Sequence, residues 1–223
     1  MTVRDDGRGQ TLRQALSVGA ATGAYGISFG ALSVAAGLTV LQTCVLSLLM
    51  FTGGSQFAFI GVVGAGGSPV TATATASLLG ARNGLYGLQM APVVRPSGLR
   101  RLAAAHVTID ESTAVAIAQP TLPLQRLGFW VTGAAVFALW NLMTFTGAVV
   151  GDALGDPRRW GLDAAAAAAF LGLVWPRLRE GSARAVAAGA VVVATALTPV
   201  APAGLPVLAA AAVAVVVGWR ARS

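Results

Sequence analysis

Apolar residues run along this chain in stretches too continuous for a soluble fold. No charged residue occurs from Gln14 to Ala81, and none occurs over residues 185–219. About 20 apolar residues in helical form cross a bilayer core of about 30 Å. The runs fall at 14–36, 39–66, 69–93, 103–119, 127–150, 162–177, 183–199 and 203–219. They predict an all-α polytopic membrane protein with about 6–8 membrane helices. The last two runs read as a hairpin, because Pro199, Pro202, Gly204 and Pro206 in TPVAPAGLP end one helix and start the next. Gly19, Gly23, Gly26 and Gly30 recur at helical spacing in the first run, a small face suited to close helix packing.

Two runs do not read as plain spans. Residues 39–66 form a helix of about 42 Å at 1.5 Å per residue, too long for one untilted crossing and too short for two. FTGGSQF stands in its middle, at residues 51–57. Non-helical backbone at membrane depth is tolerated where it is buried in protein or lines a cavity. A broken or re-entrant segment at TGGSQ is therefore expected, with a single tilted helix as the competing reading. Residues 103–119, AAAHVTIDESTAVAIAQ, carry His106, Asp110 and Glu111 in otherwise apolar sequence. They read either as a short membrane-inserted element, broken or re-entrant in the same way, or as an amphipathic helix at the interface.

Composition agrees with the pattern. The 223 residues are 56% hydrophobic and 10% charged, with mean hydropathy +0.74, whereas soluble domains carry about 25% charged residues. The chain reads as one integral membrane domain over 1–223, with a polar segment 1–13 ahead of a bundle 14–219. The start, MTVRDDGRGQTLRQ, is too polar for the basic n-region of a signal peptide, so the first helix is expected to be retained. All 15 basic residues are arginine and the net charge is +7. Most arginines cluster at the ends of apolar runs, where they anchor to headgroups and set topology, which argues against nucleic-acid binding. Cys44 is the single cysteine, which excludes an internal disulfide and a cysteine-based zinc site.

The arginines also predict orientation. Arg4, Arg8 and Arg13 place the N-terminus in the cytoplasm, and Arg95, Arg100, Arg101, Arg126, Arg177, Arg179, Arg184, Arg220 and Arg222 favour the same side. The stretch GDALGDPRRWGLD then lies outside. Three full crossings at 14–36, 39–66 and 69–93 would put Arg95–Arg101 outside as well. The conflict disappears if 39–66 enters and leaves on one side.

Polar residues inside membrane segments are costly and mark candidate sites. Phe51, Thr52, Gly53, Gly54, Ser55 and Gln56 form the first cluster, a place for unwound backbone that can hold an amino-acid zwitterion or, in the plainer reading, a glycine-mediated helix crossing. Arg82, Asn83 and Tyr86 form the second. Arg82 lies 13 residues from both Pro69 and Arg95, too deep to snorkel, so it requires a substrate carboxylate or an internal one such as Asp110 or Glu111. Asp110 and Glu111 are the third cluster, suited to a coupling proton, to pairing with Arg82, or to solvation at an interface. They point about 100° apart on a helix and cannot share one site as a dyad. The fourth cluster is Trp140, Asn141, Thr144 and Thr146. There LMTFTGA at 142–148 echoes LLMFTGG at 48–54 and hints at an internal repeat. No HExxH, P-loop, GxSxG or Rossmann fingerprint occurs, so no enzyme activity, cofactor or metal site is expected.

FGALSVAAGLTVLQTCVLSLLMFTGGSQFAFIG, ARNGLYGLQMAP, IDESTAVA and WNLMTFTGAVVGD…GLDAAAAAAFLGLVWP together resemble the AzlC-type branched-chain amino-acid exporters, the LIV-E family, from about residue 15 to about residue 180. The resemblance implies a bacterial inner-membrane exporter of small hydrophobic amino acids, driven by the proton gradient and working with a small AzlD-type membrane subunit. It places family motif positions at Phe51, Gly53, Ser55, Gln56, Phe57, Arg82, Tyr86, Gly87 and Asp110, and Asn83 stands where relatives often carry a histidine. In this reading Arg82 binds the substrate carboxylate, FTGGSQF the other polar groups, and Phe51, Phe57 and Leu88 the aliphatic side chain. The competing readings are a non-transporting assembly or regulatory subunit and a permease driven by an external ATPase.

Overall fold

The computed structural model describes residues 3–155, 171 and 174–220, and their regular structure is entirely helical. Seven helices come first: α1 (Val3–Ala35), α2 (Val40–Leu49), α3 (Gly53–Gly64), α4 (Pro69–Val94), α5 (Arg100–His106), α6 (Asp110–Ile117) and α7 (Leu122–Leu154). A 3-10 turn at Trp175–Arg179 precedes α8 (Gly181–Leu197) and α9 (Leu205–Arg220). Gly7–Ala35 and Leu122–Leu154 are long and apolar enough to cross a membrane. Most of the expected run 162–177 and the charged stretch around Arg158 lie outside the described residues.

The glycine face of α1 explains the central packing. A methyl group on Gly19 would lie 2.7 Å from Ala135 Cβ, and one on Gly26 would lie 2.6 Å from the Trp140 carbonyl. Gly30 lies against Thr144, and from the other side Gly147 lies against Ile27. The pairs rise together along both helices, so α1 and α7 run parallel with backbones nearly touching. Only glycine permits that approach, and the close packing it allows is what holds helices together in lipid. Phe29, Phe57 and Trp140 pack beside this seam.

Among the described residues the two ends of the bundle differ in charge. At one end Thr11 Oγ1 donates to Gln119 Oε1 at 2.7 Å, and Arg126 Nε donates to the Val93 carbonyl at 2.8 Å. The start of α1, the end of α4, the start of α5, the end of α6 and the start of α7 therefore meet there, with Arg95, Arg100, Arg101 and Arg126. At the opposite end a methyl on Gly64 would touch Ala36 at 3.2 Å, and one on Gly67 would lie 2.9 Å from the Ala203 carbonyl. Gly189 of α8 faces Val213 of α9, so these helices form the antiparallel hairpin expected around TPVAPAGLP.

Those contacts decide the two ambiguous runs. α2 starts where α1 ends, and α3 returns to the same end, where Gly64 meets Ala36. Residues 39–66 are a re-entrant hairpin and not a tilted helix. Its limbs of 10 and 12 residues span about 15 and 18 Å, each about half a bilayer core. α5 leaves the arginine-rich end and α6 returns to it, so 103–119 is a second, shorter hairpin inserted from the opposite side. The interfacial-helix reading of that segment is set aside. The echo at 142–148 is not a structural repeat, because those residues lie in uninterrupted α7.

Candidate functional site

The hairpin tips share one local design. In the first, the Thr52 N–H donates to the Met50 carbonyl at 2.7 Å; in the second, the Ile109 N–H donates to the Val107 carbonyl at 3.1 Å. Each break leaves carbonyls at the end of the first limb without helical partners. Gln56 serves them at the first tip: its Nε2 donates to the Met50 carbonyl at 2.8 Å and approaches the Ser47 carbonyl at 3.3 Å. Its Oε1 accepts from Trp140 Nε1 at 2.9 Å. Ser112 does the same work at the second tip, donating to the Val107 carbonyl at 2.6 Å and accepting from the Ile109 N–H at 3.1 Å. The two tips are alike in this local bonding only: Gln56 is the fourth residue of α3 and Ser112 the third of α6, and 50–55 and 107–112 have little sequence in common.

The tips touch each other at mid-depth. The Phe51 ring stacks on His106 with centroids 5.6 Å apart, and Phe137 of α7 packs edge-on against both at 5.1 and 5.4 Å. Phe51 is buried and His106 half-buried.

Arg82 lies beside both tips. It sits about 20 Å along α4 from Pro69 and about 18 Å from Val94, which is mid-depth. Its Nη1 is 3.6 Å from Asp110 Oδ2, the first residue of α6, with the side chains 38% and 45% exposed. A methyl on Gly54, in the first turn of α3, would lie 3.1 Å from Arg82 Nη2. Neither Thr52 ahead of α3 nor Ile109 ahead of α6 caps its helix with a side-chain bond. Each helix N-terminus carries roughly half a positive charge and unpaired N–H groups. Arg82 adjoins both ends, and Asp110 and half-buried Glu111 lie beside it. The two acidic side chains interact with each other, so the expectation that neighbouring carboxylates point apart and cannot share a site does not hold here. The locus has positive ends and donors for a carboxylate, and carboxylates for an ammonium.

The sequence candidates divide on this geometry. Phe51, Thr52, Gly53, Gly54, Arg82, Asp110 and Glu111 gather at the tips. Gly53 and Gly54 are not the break itself, which lies at Met50–Thr52. They form the first turn of α3, where a side chain would collide with Trp140 on one and Arg82 on the other. Gln56 is fully buried with its amide committed to backbone and Trp140. Ser55 is buried against Gly80, and its Oγ has no hydrogen-bond partner. Asn83 also has a buried, unpartnered Oδ1, and Tyr86 stands half-buried one turn beyond Arg82. Phe57 packs against Phe29 and Trp140, and Leu88 is 75% exposed; the aromatic cluster at the hairpin tips is Phe51, His106 and Phe137 instead. Phe137 was not legible in the sequence, where it is one apolar residue among many. Nor was Gln119, which ties α6 to Thr11 and Gln14.

Discontinuous helices meeting around charged groups, in described residues whose regular structure is all helical and includes two apolar helices of membrane length, are compatible with a polytopic membrane protein, and broken helices of this kind recur in secondary transporters. The family model described as AzlC protein matches residues 17–154, from α1 through both hairpins to the end of α7, and the chain belongs to this family. It is a transporter family associated with branched-chain amino-acid transport. Among curated proteins and among solved structures no significant match is found.

Proposed function

We propose that this protein is a secondary active exporter of branched-chain or similar small hydrophobic amino acids in the bacterial cytoplasmic membrane. It is multi-pass with a cytoplasmic N-terminus, draws on the proton gradient and works with a small AzlD-type membrane subunit. The observation that carries the reading is the position of Arg82, held at mid-depth between the uncapped N-terminus of α3 and the first residue of α6, Asp110, at 3.6 Å. A zwitterion satisfies both halves of that arrangement. Its carboxylate takes Arg82 and the free N–H groups of α3, and its ammonium takes Asp110 or Glu111. Opposed hairpins give each end of the bundle its own limb to move, so the site can open alternately while the α1–α7 seam stays fixed.

The test is efflux from proteoliposomes, with and without the small subunit, across a panel of amino acids. Export of valine, leucine or isoleucine that slows when a protonophore collapses the gradient is the expected result. Flux indifferent to the gradient removes proton coupling, and no flux of any amino acid removes the transport reading. ATP-dependent flux with a co-purifying ATPase would favour the driven permease.

A further inference from the structure

A small cavity of about 160 Å³ lies between α4 and α5 toward the arginine-rich end, its nearest α4 residue, Gly87, five residues and about 7.5 Å beyond Arg82. Gly87, Met90 and Ala91 line it from α4, Ala104 and Ala105 from α5, and Phe129 from α7. Arg101 borders it on the side of the arginine-rich end, and Thr108 on the side of the hairpin tip, two residues before Asp110. We propose that this cavity receives the aliphatic side chain of the transported amino acid and sets its specificity. The proposal rests on the zwitterion site at Arg82 and adds the part of the substrate that site leaves unplaced.

Four observations carry it. The wall is apolar where it matters: the Thr108 hydroxyl is committed to the Ala104 carbonyl at 2.6 Å, so it makes no polar demand on an occupant. The space is real beside Gly87, since a methyl built there meets no heavy atom within 4 Å. The size fits, because an apolar cavity of about 150 Å³ admits a benzene-sized molecule, which covers isobutyl and sec-butyl groups and excludes an indole. The fourth is continuity with the charged locus. Residues 83, 87, 90 and 94 fall on one stripe of α4 by helical spacing. Asn83 heads that stripe next to Arg82, and its buried Oδ1 lacks a partner. An amino acid with its carboxylate on Arg82 and its ammonium on Asp110 or Glu111 lays its side chain along this stripe.

The experiment compares leucine with alanine efflux in proteoliposomes of the full chain carrying Gly87→Leu, and separately Ala105→Leu. Both substitutions fill the cavity, and they do so from opposite walls. One methylene in a hydrophobic pocket changes discrimination about 10- to 200-fold, so the leucine-to-alanine ratio should fall at least about tenfold while alanine efflux persists. A ratio unchanged in both variants, or an equal loss of both substrates with normal protein in the membrane, overturns the proposal. Should Gly87→Leu fail to insert, Ala105→Leu alone decides it. Arg82→Ala separates this result from the underlying reading. If Arg82→Ala leaves efflux intact, the zwitterion site is wrong; if it abolishes efflux and the cavity variants keep their ratio, only the side-chain pocket is wrong.

Discussion

Gly54 and Arg82 are defined by each other. A glycine pair in the middle of a membrane segment suggests flexibility, yet here the pair lies inside the first turn of α3 and serves close approach. Gly54→Leu would drive a side chain into the Arg82 guanidinium, 3.1 Å from where its Cβ would stand. Transport should fall at least about tenfold while the protein still folds, since the collision is with the end of a flexible side chain. Arg82→Ala should cost at least as much, and Arg82→Lys should recover only a fraction, because an ammonium cannot replace a bidentate fork; initial efflux rates measure all three. Gln56 belongs to a different category. Gln56→Ala leaves the Met50 carbonyl and the Trp140 indole N–H buried without partners, at about 1–3 kcal/mol each. Its main effect should appear in unfolding titrations, which would show a loss of about 2 kcal/mol or more.

At the scale of elements, the two hairpins solve one problem with different residues. A helix broken at mid-depth must satisfy the carbonyls it frees, because lipid offers no donors. Gln56 does this from the fourth position of α3 and Ser112 from the third position of α6. Ser112→Ala should loosen the second tip, and faster hydrogen exchange at Val107–Ser112 than at Met50–Ser55 would report it. The α1–α7 seam behaves oppositely, with rigidity as its purpose. Gly147 meets the Ile27 backbone directly, so Gly147→Leu must separate the two helices. The expected outcome is failure to accumulate in the membrane and not a partial transport defect.

The whole molecule follows from which end each limb occupies. The arginine pattern is free of conflict if 39–66 begins and ends on one side, and the contacts of Gly64 with Ala36 and of Gly67 with Ala203 supply that geometry. In a Cys44→Ser background, cysteines at Gly66 and Ala201 should react with a membrane-impermeant maleimide added to intact cells. Cysteines at Ser97 and Thr121 should react only after permeabilisation. Labelling of cysteines at Gly37 and Gly66 from opposite sides of the membrane would contradict the re-entrant hairpin.

Much of this protein was legible in its sequence for a simple physical reason. Charge-free runs have no stable home except lipid, arginines at their ends select a side, and Arg82, Asp110 and Glu111 stood out because ionised groups are rare at membrane depth. Local pattern also pointed to a break at TGGSQ, and the helix breaks just at its start, at Met50–Thr52. Tertiary structure alone decided which residues meet. The pairing of Gln56 with Trp140, the stacking of Phe51 on His106 and the role of Phe137 depend on contacts between residues far apart in the chain. In apolar sequence every face looks alike, so hydrophobic pattern states that a segment is in the membrane and leaves open which side of it faces protein. Only packing could separate the glycines that hold two helices together from those that let a helix tip reach Arg82.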